Sequence, residues 1–547
     1  MRLTISLLGP TVWLMLAASG ATQAAERPIV TVAQGRLAGT SEGPLRVFRG
    51  IPYALPPVGE RRWRPPSPPA PWPGTSDAAA FGPSCVQPPV PADSLYYDPP
   101  EAISEDCLTL NVWAPTPAQG APVIVWIHGG SLRIGSSAEP LFDGANFARR
   151  GIVFVSINYR LGVLGWLAHP ALSAESPHHV SGNYGLLDQI AALRWVRRNV
   201  AAFGGDPGNV TIMGESAGAL SVAYLLASPL ARGLFHKAIL QSPNSRAFPE
   251  LARPEFGLPS AEETGRALAA SAGAGGIEAL RSMHAETLAR AAARARFAAQ
   301  GTIDGWALTE QIVETFDAGR QARVPLLAGF NSGEVRSQRG FLPPAPSNAA
   351  AYEARIRRRY GALAPAFLRL YPASDIEGSM LAALRDAIYG WATERIVRQQ
   401  AAVGQPAYLY LFDHCYPAAR ARDLCGFHAS ELPYLFGHVG RDAALPANWP
   451  RPDGPAEAAL SEAMMDYWAG FARTGRPSAP GRPLWPPYSD GEAFMRFSEG
   501  PMAATNLLPG MFEMQEAWVG ARRRAGEQWF LDVGVAAPVV RDRTETP

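Results

Sequence analysis

The chain predicts an α/β fold, a mostly parallel central sheet flanked by helices, with small N-terminal antiparallel strands and a helical insertion. Three observations carry that expectation. Apolar runs with little alternation recur at LTLNVWA (108–114), PVIVWIH (122–128), IVFVSINYR (152–160) and VTIMG (210–214), as in strands covered on both faces. A segment with apolar residues at helical spacing and a cationic face, NYGLLDQIAALRWVRRNVAAF (183–203), lies among them. Strand-like runs then return at VPLLAGFN (324–331) and PAYLYLFDH (406–414).

Taken in order, the N-terminus comes first. MRLTISLLGPTVWLMLAASGATQAAE has Arg2, an uncharged apolar stretch, then small residues before Glu26. That layout predicts a secretory signal peptide over residues 1–25, cleaved near Ala24 or Ala25, and a secreted or periplasmic protein. A membrane anchor is the alternative, but Gly9 and Pro10 interrupt a run already short for a span. No later segment is long and apolar enough to cross a bilayer, so no membrane association is expected after cleavage.

Next, VTVAQGRLAGT and LRVFRGIPYA alternate apolar and polar residues around turn glycines, as an antiparallel strand pair would. Residues 65–100 are proline-rich and aperiodic, and read as a long surface loop. Residues 260–320 are alanine-rich and helical in pattern; in TLARAAARARFAAQ the arginines read as a solvated face rather than a partner site. With no internal repeat and no clear linker, residues 26–547 are expected to form one domain, large but within reach of an α/β fold with insertions.

Composition narrows the function. A formal net charge of +1 over 547 residues provides no field to attract nucleic acid or anionic membrane. Lys237 is the single lysine, so the cations are arginines, a bias typical of GC-rich bacterial coding. Export permits disulfides. Cys85 with Cys107 and Cys415 with Cys425 close the smallest loops of the three possible pairings. No pair has the C-x-x-C spacing that zinc sites favour, so no metal is expected.

The chemistry centres on Gly214-Glu215-Ser216-Ala217-Gly218, a G-x-S-x-G after a strand-like run and before a helix-like one. A turn this tight needs small residues on both sides and leaves the serine hydroxyl exposed above the sheet. The helix that follows directs N–H groups and its positive dipole end at developing negative charge. A serine needs a base to take its proton. Of nine histidines, His428 in CGFHASELPYLFG, His414 and His438 remain candidates. The acid that orients the imidazole is placed at Glu334, just past the strand in LLAGFNSGEV. VIVWIHGGSLRIG ends a buried run in Gly129 and Gly130, where backbone N–H groups of Gly130 and Ser131, with that of Ala217, could surround a carbonyl oxygen.

The chain resembles the type-B carboxylesterases, the cholinesterase-like branch of the α/β hydrolases, from about residue 28 to 535. The stretches that carry the likeness are FRGIPYALPPVGERRW, SEDCLTLNVWAP, HGGSLRIG, NYRLGVLGW, GNYGLLDQIAALRWVRRNVAAFGGDPGNVTIMGESAGA, GFNSGE and FHASELPYLFG. The resemblance implies an α/β-hydrolase fold and a triad of Ser216, Glu334 and His428, in the Ser…acid…His order of that fold. It implies oxyanion donors at Gly130, Ser131 and Ala217, a Cys85–Cys107 disulfide and an Arg62–Glu105 ion pair. It also implies buried acids at Glu215 and Glu431, a small-molecule ester substrate and no cofactor.

Departures from the family bear on specificity. Ser131 stands where many relatives have a third glycine, keeping the N–H but adding a hydroxyl. LYYDPPEAISEDC has no tryptophan at the place where cholinesterases stack choline's cation, so a choline ester is not expected. Arg133, Arg336 and Arg339 lie in loops expected near the site and could hold a substrate carboxylate, such as those of the tricarballyl esters that some bacterial members cleave. Pairing with local acids is the other reading. An amidase or lactonase would use the same triad, and a non-catalytic binding scaffold is the rival from outside enzymology.

Overall fold

A computed structural model describes residues 27–539; the expected signal peptide lies outside the described residues. An eleven-stranded sheet forms the centre. Edge to edge it runs Pro501–Thr505, Ala493–Phe497, Ala407–Phe412, Leu326–Asn331, Lys237–Gln241, Gly205–Glu215, Ala121–Ile127, Val153–Ile157, Thr109–Pro115, Leu45–Pro52 and Thr40–Glu42. From Ala493–Phe497 to Val153–Ile157 every neighbouring pair is parallel. The flanks are antiparallel.

The apolar runs predicted as strands are strands, and in the parallel middle Val153–Ile157, Leu326–Asn331 and Ala407–Phe412 have no exposed residue, nor does Lys237–Gln241, a strand the sequence reading did not mark. Helices cover both faces. Tyr184–Asn199 packs Leu186, Ile190, Leu193 and Val196 into the core. The alanine-rich segment folds as Ala261–Ser271, Ile277–Ser282 and Ala285–Arg294, the helical insertion expected there. Helices cross the sheet because parallel neighbours need a crossover of a dozen or more residues.

The N-terminal pairing differs from expectation. Ile29–Val32 folds back on Gly35–Ala38 as its own hairpin in a separate three-stranded sheet. Leu45–Pro52 instead pairs with Thr109–Pro115 in the main sheet. Alternation showed which residues are strands but not the partner of each, because either edge offers an apolar face. The loop over 65–100 also contributes two short strands, Thr75–Asp77 and Ser84–Cys85.

Two disulfides join Cys85 to Cys107 and Cys415 to Cys425. Arg62 donates to both Glu105 oxygens, at 2.7 and 2.5 Å. No helix among the described residues is long and apolar enough to cross a membrane.

The order of the strands positions the site. From Ala121–Ile127 the chain moves to Val153–Ile157 on one side, then returns to Gly205–Glu215 on the other. That reversal opens a crevice beyond the carboxyl ends of the strands, where ligands bind in open α/β sheets. The loop after Ile127 and the turn after Glu215 both empty into it.

Candidate active site

The turn at Ser216 is built by close approach. A Cβ on Gly218 would lie 2.0 Å from the Ile127 carbonyl oxygen, so only glycine lets the helix Ala217–Ala227 start against the neighbouring strand. Ser216 itself has φ 55° and ψ −118°, a backbone conformation an L-residue adopts only under constraint, at a cost of roughly 1–3 kcal/mol. Its N–H is tied to the Gln241 carbonyl at 2.9 Å. The result is a half-buried hydroxyl at the head of the helix.

Three side chains from separate loops meet there. Ser216 Oγ lies 2.8 Å from His428 Nε2, and His428 Nδ1 lies 2.5 Å from Glu334 Oε2. Glu334 is 0% exposed. Its other oxygen accepts from Ser242 Oγ at 2.6 Å and from the Asn331 N–H at 2.8 Å. The Tyr96 hydroxyl donates to the His428 carbonyl at 3.0 Å and fixes the backbone behind the ring. Of the other candidate histidines, His414 is engaged with Glu457 at 2.7 Å, away from Ser216.

Two further buried carboxyls surround the imidazole. Glu215 Oε1 is 3.2 Å from His428 Nε2. Glu431 accepts from Gln241 Nε2 at 3.0 Å and Asn331 Nδ2 at 2.5 Å. Burial pushes Glu215 up to about 8, against the pull of His428 and with the repulsion of the other glutamates. Burial and the charge of Glu334 push Glu431 up to about 7. Burial alone would push His428 down; the negative charge of Glu215 and Glu334 overrides it and holds the ring at about 9. The environment therefore favours an imidazolium, the species a general base becomes.

Opposite the serine, the loop after Ile127 turns sharply through positive φ at Gly130, Ser131 and Leu132 (94°, 57° and 57°). The Gly130 carbonyl points inward and accepts from the N–H groups of Arg133 and Ile134, both at 3.0 Å. Gln87 clamps the far end, accepting from the Gly135 N–H at 2.9 Å and donating to its carbonyl at 3.0 Å. His128 stacks on Tyr159, ring centroids 4.6 Å apart, and burial pushes it down to about 4, so it stays neutral. Among the described residues, the N–H groups of Gly130, Ser131 and Ala217 have no acceptor. Among the described residues, no group of three or more His, Cys, Asp or Glu side chains is arranged to hold a metal ion.

A model described as the carboxylesterase family matches residues 26–512. The chain belongs to the carboxylesterase family. As such it is a carboxylic ester hydrolase of the α/β-hydrolase fold. It is 37% identical over 473 residues to a fumonisin B1 esterase of Sphingopyxis macrogoltabida, covering 83% of this chain and 84% of that one. It is 37% identical over 483 residues to a para-nitrobenzyl esterase of Bacillus subtilis (strain 168), covering 84% and 93%. A solved Geobacillus stearothermophilus carboxylesterase superposes with a TM-score of 0.73 at 34% identity, covering 92% of this chain and 100% of that one.

Two of the three arginines singled out in this esterase's sequence are already engaged. Arg336 pairs with Asp423, and Arg339 pairs with both Glu377 and Asp423. A substrate carboxylate at either would have to displace a resident one. Arg133 is exposed, and its guanidinium has no polar partner among the described residues.

Several residues at the site were not picked out from the sequence. Ser242 and Gln241 follow from the strand Lys237–Gln241, whose five residues are too few to announce themselves between longer runs. Asn331 was inside the quoted GFNSGE stretch, but nothing in a sequence says that its amide reaches Glu431. Tyr96 comes from the proline-rich loop, where no periodicity directs attention to any one residue.

Proposed function

We propose that Ser216, His428 and Glu334 are the catalytic triad of an exported serine carboxylesterase acting on small-molecule esters. The continuous Ser216–His428–Glu334 hydrogen-bond chain carries this reading, with family membership in support. His428 Nε2 takes the proton from Ser216 Oγ as the oxygen attacks the ester carbonyl. Glu334 holds the ring by Nδ1 and stabilises the imidazolium. The carbonyl oxygen, now an anion, accepts from the N–H groups of Gly130, Ser131 and Ala217. One such donor is worth about 3–4 kcal/mol in the transition state. The tetrahedral adduct expels the alcohol, which leaves with the proton from His428. Water enters, gives a proton to His428 and attacks the acyl-enzyme; collapse of the second adduct returns the proton to Ser216 and releases the acid. No step requires a cofactor.

Export is supported by the signal-like N-terminus together with two disulfides, which suit an oxidising compartment. Esters that carry a free carboxylate, tricarballyl esters among them, are the finer substrate reading; its support is the relative named as a fumonisin B1 esterase.

Hydrolysis of short and medium p-nitrophenyl esters by the wild type and by Ser216→Ala tests the triad. The variant is expected to lose turnover by roughly 10⁴-fold or more and to lose labelling by a fluorophosphonate. Turnover retained in the variant, or no turnover and no labelling in the wild type, would sink the reading.

A further inference from the structure

A different arginine stands out once burial and partners are considered together. Among the described residues, each arginine whose Nε is buried without an acceptor bonds through another nitrogen, except Arg246. Arg246 makes no hydrogen bond and no ion pair there. Its guanidinium carbon lies 4.6 Å from the ring centre of Phe530 and 5.8 Å from that of Phe248. Asn244, two residues earlier, buries its amide oxygen with no donor. Turned over, that amide would present its N–H groups instead.

The position of this arginine links it to the reacting groups. It lies four residues beyond Ser242, which hydrogen-bonds Glu334, so at most about 14 Å of chain separates the two. The residue before Ser242 supplies the carbonyl that holds Ser216 N–H. The titratable groups that act on Arg246 are the phenols of Tyr224 and Tyr389, not a carboxylate. Tyr389 in turn packs beside His428, ring centroids 5.0 Å apart.

Arg246 is half-buried, with Nε fully covered and without an acceptor, and even a partly desolvated guanidinium with no counter-charge is costly to keep. Its planar fork fits a carboxylate, and the aromatic walls would exclude water from such a pair. We propose that Arg246 is a specificity residue that binds a free carboxylate carried by the ester substrate, several bonds from the scissile carbonyl. This rests on Ser216 being the nucleophile. It differs from Arg336 and Arg339, whose partners are already in place.

The test compares wild type, Arg246→Leu and Arg246→Lys on two pairs of esters followed by pH-stat. Monoethyl adipate against ethyl hexanoate puts the carboxylate on the acyl side; 4-acetoxybenzoate against phenyl acetate puts it on the alcohol side. In Arg246→Leu the anionic-to-neutral ratio of kcat/KM is expected to fall about tenfold or more for one pair, since a charge-assisted contact is lost. The pair that responds identifies which side of the ester faces Arg246. Arg246→Lys should retain part of the ratio. A smaller change in both pairs overturns the proposal. Leucine suits the phenylalanine surroundings, so its variant is expected to melt at or above the wild-type temperature. Adipate alone should raise the melting temperature of the wild type more than that of Arg246→Leu; an equal rise also overturns it. Neutral-ester turnover and fluorophosphonate labelling, if absent from the wild type, would instead fail the reading of Ser216.

Discussion

Replacing Glu215 by glutamine is expected to move the acid limb of the pH–rate profile downward. Glu215 Oε1 sits 3.2 Å from the imidazole nitrogen that faces the serine, so its charge favours the protonated ring. At an effective dielectric of about 20, Coulomb's law puts the attraction at roughly 5 kcal/mol, a ceiling of about 4 pH units. The realised effect is smaller, because burial holds Glu215 itself up at about 8 and its charge is only partly present near neutral pH. The two groups titrate as a pair. The expected shift is on the order of 1–2 units. The sign follows from the active form: His428 must be neutral to accept the Ser216 proton, and its pKa is raised to about 9. Activity is therefore lost as pH falls through that raised value, and removing the carboxylate lets the ring stay neutral to lower pH. The assay is kcat/KM for a neutral p-nitrophenyl ester against pH, which reports the free enzyme. An acid limb that stays put or moves up in Glu215→Gln would refute the reasoning.

Two other substitutions follow from the same geometry. Ser242→Ala removes a hydrogen bond to the buried Glu334 carboxylate, worth about 1.5–3 kcal/mol; kcat/KM is expected to fall about tenfold, checked by steady-state kinetics with the Asn331 N–H still holding the other contact. Ser131→Gly relieves a residue at φ 57°. Left-handed backbone costs a non-glycine roughly 1–2 kcal/mol, less the entropy that glycine adds to the unfolded chain, so urea denaturation should show a net gain of about 0.5–1 kcal/mol.

Much of the site was legible because its chemistry is local in sequence. The serine needs small neighbours and a strand–turn–helix context, all within VTIMGESAGA. The proposed oxyanion loop is a buried run ending in two glycines. What stayed hidden depends on contacts between distant loops. Ser242 and Asn331 converge on one carboxylate oxygen, and neither has a pattern that says so. The arginines show the converse: residues near the site in sequence need not be free to act. Arg336 and Arg339 are tied to acids 38 to 87 residues away, whereas Arg246 drew no attention as a single cation in PNSRAFPE.

By itself the sequence determined the fold class, because burial on both faces forces uninterrupted apolar strands and parallel neighbours force helices between them. It also pointed to Ser216, Glu334 and His428 as one group, through local turn chemistry and family likeness. Only the tertiary structure decided strand partners at the N-terminus, since a strand's apolar face is compatible with more than one edge. It alone decided the charge state around His428, because that depends on three glutamates from separate loops sharing one dry volume. And it decided which arginines are already neutralised, for a cation's availability is set by the acids that the fold places beside it.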